Sequence, residues 1–249
     1  MMLNINRVKK SYGRGKLKQK RPIVKGVSFN CESGKSIGII GESGSGKSTL
    51  GRMIVGIEKP DSGIVTLDGK PVYNKSVRKG RVSAVFQNYK SSIHPYFKVE
   101  DVIKEPLKVI HNAKSKSEID KEIVEILKAV GLDESYLNLY PHMLSGGEAQ
   151  RVAIARAMIM KPDYVLLDEA ISSLDMSIQT QILNLLIELR ALYGVSYIFI
   201  THDIQAATYI CEDLIIFKDG LIQESLHISN LKDSTHPYTN ALLEKQLIT

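Results

Sequence analysis

One short segment constrains this 249-residue chain more than any other. Gly41-Glu42-Ser43-Gly44-Ser45-Gly46-Lys47-Ser48 fits the P-loop pattern G-x-x-x-x-G-K-[ST], and Thr49 carries it into a helix-compatible stretch, 48–57. A short apolar run, 36–40, precedes it, so the glycines join a buried strand to a helix. In that setting the backbone can curl until several N–H groups point inward and form a nest for anionic oxygens. The helix start adds the positive end of its dipole. Lys47 is then placed to reach terminal phosphates, and the Ser48 hydroxyl to ligate Mg2+.

The remaining pattern predicts an α/β fold. Residues 3–9 alternate as a half-buried strand does, and 23–30, 63–67 and Val82–Phe86 read as further strands. In the middle, 118–130 puts Ile119, Ile123, Ile126, Leu127 and Val130 on one helical face, and Gly131 ends it. With 99–108 and 134–139 around it, this reads as a helical insert. The last third alternates strand and helix (164–167, 178–193, 195–200, 205–210, 213–217), the pattern of a parallel sheet covered by helices. One domain is expected over 1–249, with a helical subdomain at about 88–158 and a tail at about 226–249.

Composition narrows the class by exclusion. At 43% hydrophobic and 24% charged, the chain can build a packed core without staples. No apolar run approaches the roughly 18 residues of a membrane-spanning helix, and MMLNINRVKK carries no secretion-signal core. Cys31 and Cys211 lie far apart and read as small buried hydrophobes. The net charge of +6 gathers partly in 14–21, which suits nucleic acid, anionic lipid, a nucleotide or simply a solvated loop.

A second element complements the phosphate nest. Residues 164–169 form an apolar strand tipped by Asp168-Glu169. Asp168 is placed to hold Mg2+, directly or through water, and Glu169 to act as general base for an attacking water. Two acids after a strand are common loop chemistry; the P-loop gives them meaning.

Leu144-Ser145-Gly146-Gly147-Glu148, just before a helix over 148–160, resembles the LSGGQ signature of the ATP-binding cassette family, with Glu148 where that family has glutamine. The resemblance implies a P-loop NTPase cassette: a mainly parallel RecA-like sheet, an N-terminal antiparallel β-subdomain and a helical insert. It also implies ATP and Mg2+. Tyr12 matches the aromatic that stacks on adenine, Gln87 the glutamine that senses Mg2+ and water, Ser173-Leu174-Asp175 the D-loop, and His202 the switch histidine. Taken singly, Tyr12 could be a core tyrosine and His202 a capping residue. Family cassettes pair head to tail, so Ser145, Gly146 and Gly147 are expected to serve a nucleotide held by the other subunit.

The kind of cassette follows from what surrounds it. One P-loop and no membrane span point to a stand-alone importer subunit. His236-Pro237-Tyr238-Thr239 with Leu242-Leu243 resembles the HPYT-x-x-LL ending of oligopeptide, dipeptide and nickel importer ATPases; without the family it reads as a Pro-initiated surface helix. The end at Thr249 resembles the shorter nickel-type ATPases. The implied function is ATP hydrolysis that drives uptake of peptides or of nickel and other metal chelates, with metal favoured. Expected partners are a second cassette subunit in a heterodimer, two transmembrane permeases and, indirectly, an external solute-binding protein. No nucleic acid is expected, and the location is the cytoplasmic side of the cell membrane. Coupling to the permeases is expected in 88–106, which displays Tyr89, Ile93, Tyr96 and Phe97, although packing against the insert would also use them. His94 there is either metal-responsive or a surface loop residue. The competing class is a cassette acting on nucleic acid or in regulation, suggested by 14–21.

Overall fold

The computed structural model describes residues 1–13, 20–87, 93–109 and 115–247. Most of the basic stretch 14–21, together with Tyr89 and Ser92, lies outside the described residues. The strands are β1 (Met2–Tyr12), β2 (Arg21–Glu32), β3 (Ile37–Ile40), β4 (Ser62–Leu67), β5 (Lys70–Pro71), β6 (Val82–Phe86), β7 (Tyr164–Asp168), β8 (Ser196–Thr201), β9 (Asp213–Lys218) and β10 (Leu221–His227). The α-helices are α1 (Lys47–Ile54), α2 (Lys75–Arg78), α3 (Val99–Lys104), α4 (Lys116–Ala129), α5 (Gly146–Met158), α6 (Met176–Tyr193), α7 (Ile204–Ile210) and α8 (Pro237–Leu247). The chain forms two compact units, residues 1–78 with 196–249, and residues 79–195. The architecture is α/β, with an antiparallel N-terminal sheet and mainly parallel core strands.

In the first unit, β1 lies between β2 and β4, antiparallel to both, with Leu3 opposite Cys31 and Leu67. Leu3, Ile5 and Val8 are buried, so the inward phase slips by one residue between Ile5 and Val8. Arg7 absorbs that slip at φ +46, and its N–H donates to Ser28 Oγ at 2.8 Å. Gly63 of β4 sits against this bulge: at φ +79, an added Cβ would lie 2.3 Å from the Arg7 carbonyl oxygen. The parallel core strand β3 is fully buried and runs between β8 and β9, parallel to both. Buried on both faces, it reads as the continuous apolar run expected of such a strand. Cys31 and Cys211 are both buried, and burial pushes the Cys31 thiol up to about 12.

In the second unit, β6 and β7 pair in parallel from Val82–Tyr164 to Phe86–Asp168. Arg81 fixes the start of that register: its carbonyl accepts from the Asp163 and Tyr164 N–H groups, and its Nε meets Asp163 Oδ2 at 2.7 Å. The expected insert helix begins two residues earlier than its apolar face suggests, because Ser115 and Glu118 close a capping box at its start. Gly131 follows its end at φ +74, and Arg151 Nη1 donates to the Val130 carbonyl at 2.7 Å. Helix α6 is capped by Asp175 and ends at left-handed Gly194. Among the described residues, no helix is long and apolar enough to cross a membrane.

Candidate nucleotide site

Strand β3 delivers the chain to Gly41, and α1 begins six residues later at Lys47. The loop between them is pressed tightly against its neighbours. A Cβ on Gly41 would lie 1.9 Å from the Phe217 carbonyl oxygen, and one on Gly46 2.8 Å from the Ile23 carbonyl oxygen. Gly44 and Gly46 also hold φ +80 and +107, which L-residues rarely adopt. Helix α1 has no side-chain cap and no acid in its first turn. The buried Lys47 ammonium donates to the carbonyls of Gly41 at 2.6 Å and Glu42 at 2.9 Å. The Ser45 hydroxyl is buried without a hydrogen-bond partner, a cost of about 1–3 kcal/mol that an anionic oxygen would offset. The Thr49 hydroxyl accepts from Arg52 Nη2 at 3.0 Å. This cradle fits a phosphate chain.

Tyr12 ends β1 and is 41% exposed, so it is no core tyrosine. Its hydroxyl lies 2.5 and 2.6 Å from the two Glu58 carboxylate oxygens. Burial works against the Glu58 charge, yet hydrogen bonds from Tyr12, Lys10 and Arg52 hold its carboxyl below the usual range. The tyrosine is thus gripped by its hydroxyl, and Lys10 Nζ lies 5.8 Å from the ring centroid. His202 follows β8 and is exposed. It does not cap α7: Asp203 does, accepting from the Ala206 N–H at 3.0 Å.

The second unit holds the remaining predicted residues. Asp168 is buried at the end of β7 and registers with Phe86. Gln87 and Glu169 therefore leave the same end of the β6–β7 pair, each one residue beyond it. Glu169 sits at φ +49 in a tight turn whose Ser172 N–H and Oγ donate to its carbonyl at 3.3 and 3.0 Å. A bulky residue at positive φ stores strain of the kind that clusters at working sites.

The signature segment is a helix start. Ser145 caps α5 and Glu148 closes the capping box, one carboxylate oxygen accepting from the Ser145 N–H at 2.8 Å. The other carboxylate oxygen accepts from the Tyr136 hydroxyl at 2.6 Å. That bond first, and the Ser145 bonds next, hold the Glu148 carboxyl below its usual range. Glu148 is therefore a clamp that uses both oxygens. By sequence Glu148 stands only as a replacement for the family's glutamine; the S-x-x-E spacing is the signal for the box, and nothing in the sequence points to Tyr136. Gly147 is buried, with room for a Cβ only 3.0 Å from Ile178 Cγ2. Asp175 of the D-loop segment accepts from the Ile178 N–H at 3.0 Å and the Ser177 hydroxyl at 2.7 Å.

In the expected coupling segment, Ile93 is buried, Phe97 is half-buried and stacks on His94 at 4.4 Å, and Tyr96 is 83% exposed. No cluster of metal-ligating side chains forms among the described residues.

Tyr12, residues 41–49 and His202 thus belong to the first unit; Gln87, residues 145–147, Asp168 and Glu169 belong to the second. The glycine loop before α1 and the 144–148 segment that starts α5 are the pieces expected of an ATP-binding cassette. The comparisons place it further. The ABC transporter family matches residues 24–172, and the chain belongs to that family. It is 56% identical to the metal-staphylopine import system ATP-binding protein CntF of Staphylococcus aureus (strain NCTC 8325 / PS 47), over 99% of both chains. It is 38% identical to the dipeptide transport ATP-binding protein DppF of Escherichia coli (strain K12), over 88% of this chain and 67% of that one. A solved dimeric ATP-binding cassette in a post-hydrolysis state, bound to ADP and Pi, superposes with a TM-score of 0.81 at 31% identity, covering 91% of this chain and 98% of that one. The chain is an ATP-hydrolysing subunit of an ABC transport system, working with ATP and Mg2+.

Proposed function

We infer that this chain is the nucleotide-binding subunit of an importer whose cargo is a metal chelate. The observation that carries this is the end-to-end match to the metal-staphylopine protein, 99% of both chains, where the dipeptide relative extends well beyond the shared part. The HPYT-x-x-LL tail supports the importer class. The test is reconstitution with candidate permease and solute-binding subunits. ATP-dependent uptake of a metal–staphylopine complex, with no uptake of dipeptide, is expected; the reverse preference would reassign the cargo.

Residues 41–49 cradle the phosphates, Lys47 neutralises the terminal ones, and Tyr12 stacks on the adenine. Bound Mg2+ offsets phosphate charge, and Ser48, Gln87 and Asp168 are the groups suited to hold it. Glu169 takes the proton of the attacking water and His202 orients the terminal phosphate, so catalysis is mostly positioning and charge neutralisation. Ser145, Gly146 and Gly147 serve the nucleotide of a partner cassette. That partner is a related but different chain, and the pair rests on two permeases at the cytoplasmic face of the membrane, supplied by an external solute-binding protein. The helical subdomain spans about 88–158 within a single cassette domain over 1–249. Nucleic acid has no part in it; DNA-stimulated hydrolysis that fades with salt would overturn that statement.

A further inference from the structure

The HPYT-x-x-LL motif lies outside the residues assigned to nucleotide chemistry. Its residues divide the labour clearly. His236 opens α8, its Nδ1 accepting from the Tyr238 N–H at 3.3 Å, and Pro237 occupies the first helical position, where a missing N–H costs nothing. Thr239 is fully buried, and its hydroxyl donates to Glu224 of β10. Ser234 donates to the same carboxylate oxygen at 2.8 Å, and Leu242 is buried one turn further on. The helix is therefore bolted to β10 at its start.

Its other face meets the phosphate loop. Lys245 Nζ lies 2.9 Å from Glu42 Oε1. Seven residues earlier, two turns along the same face, the Tyr238 ring sits over Lys218 with Nζ 4.3 Å from its centroid. The Tyr238 hydroxyl is buried beside the Glu42 backbone without closing a hydrogen bond; burial raises it, and the neighbouring Glu42 backbone draws it back. Glu42 is the residue whose carbonyl receives the Lys47 ammonium on the loop's inner side. The strand beneath belongs to the same assembly. Phe217, next to Lys218, abuts Gly41, and the Gly220 N–H of the β9–β10 turn donates to the Ser45 carbonyl at 2.9 Å.

We propose that α8 is a positioning element of the nucleotide site, in which Tyr238 and Lys245 hold the Glu42 end of the phosphate loop and Thr239 anchors them to β10. This rests on the assignment of residues 41–49 as the phosphate cradle. The Glu42–Lys245 pair is exposed, so its own strength is small, but it closes a bracket in which Thr239 is buried and Tyr238 half-buried. A fixed Glu42 leaves the cradle already shaped when nucleotide arrives, which favours ATP and ADP alike. Such uniform binding moves KM and leaves kcat alone.

The experiment is fluorescent-nucleotide titration and steady-state hydrolysis on the full chain. Lys245→Met is expected to weaken ATP and ADP about two- to fivefold, with KM rising in step and kcat within about twofold, and Glu42→Gln to weaken both nucleotides by a similar factor. The double variant should be no weaker than either single one, and Lys245→Arg should bind like the parent. Tyr238→Leu should weaken both nucleotides similarly. Additive effects in the double variant, or parental affinity in Lys245→Met and Tyr238→Leu, overturn the proposal. Lys47→Ala separates the two levels: if it still binds nucleotide, the cradle itself is misassigned; if it loses nucleotide while the tail variants bind normally, only the role of α8 fails.

Discussion

Single side chains set the chemistry here, and two of them answer different questions. Lys47 lies buried in the loop with its ammonium on the Gly41 and Glu42 carbonyls, so Lys47→Ala should abolish tight ATP binding in a nucleotide titration. Glu169 leaves the β6–β7 pair in a strained turn, and Glu169→Gln should retain binding but slow hydrolysis by roughly 10²–10⁴-fold. Parental turnover in Glu169→Gln would remove it as the base. Glu148 supplies a pH dependence. Its folded carboxyl is held below its ordinary value of 4.5, so the stability it contributes is full above that value and is lost as pH falls through the folded one. Urea midpoints measured from neutral pH down to about 3 should fall less steeply for Glu148→Gln than for the parent. Parallel curves would show that the clamp with Tyr136 contributes nothing.

At the scale of elements, capping and close approach decide where the chain turns. Ser115→Ala removes one half of the box that starts α4 and should cost about 1 kcal/mol of stability by denaturant titration. Gly63→Ala should cost more, because positive φ and a carbonyl 2.3 Å away both oppose the methyl group. A cost below that of Ser115→Ala would mean the β1 bulge relaxes easily. The same elements show what the sequence made legible. Strands such as β3 and β7 were readable because burial on both faces demands a continuous apolar run. The slip from Ile5 to Val8 was present in the letters, but a strict two-residue period hides a bulge. Strand β10 was missed because its residues are half-exposed or exposed and carry no clear alternation. The HPYT motif includes Thr239, but its burial against Glu224, fifteen positions away, leaves no local trace. The phosphate loop, the acid-tipped strand and the signature were legible because each needs fixed residue types at short spacing. The clasp on Tyr12 by Glu58 was not, since long-range partners leave no local trace.

The whole molecule is a subunit, and its predictions concern what it does in company. Expressed alone, it should hydrolyse ATP weakly if its working partner is a different cassette; vigorous turnover by a stable homodimer in a coupled phosphate assay would count against the heterodimer. Tyr96, 83% exposed in a segment where Ile93 and Phe97 turn inward, is the side chain best placed to meet a permease. Tyr96→Glu should block uptake in the reconstituted importer while nucleotide affinity stays parental. Normal uptake would place the coupling surface elsewhere.

The buried cysteines make such experiments simpler. The chain has two thiols, neither in a disulfide, and both are shut away from solvent, with Cys31 protonated far above neutral pH. Thiolate is the species that maleimides and methanethiosulfonates attack. A cysteine introduced at Tyr96 or at Met176, which is 82% exposed, would therefore be labelled selectively in the native background. Spin labels and cross-linkers could report on the assembled transporter without first stripping two residues out of its core.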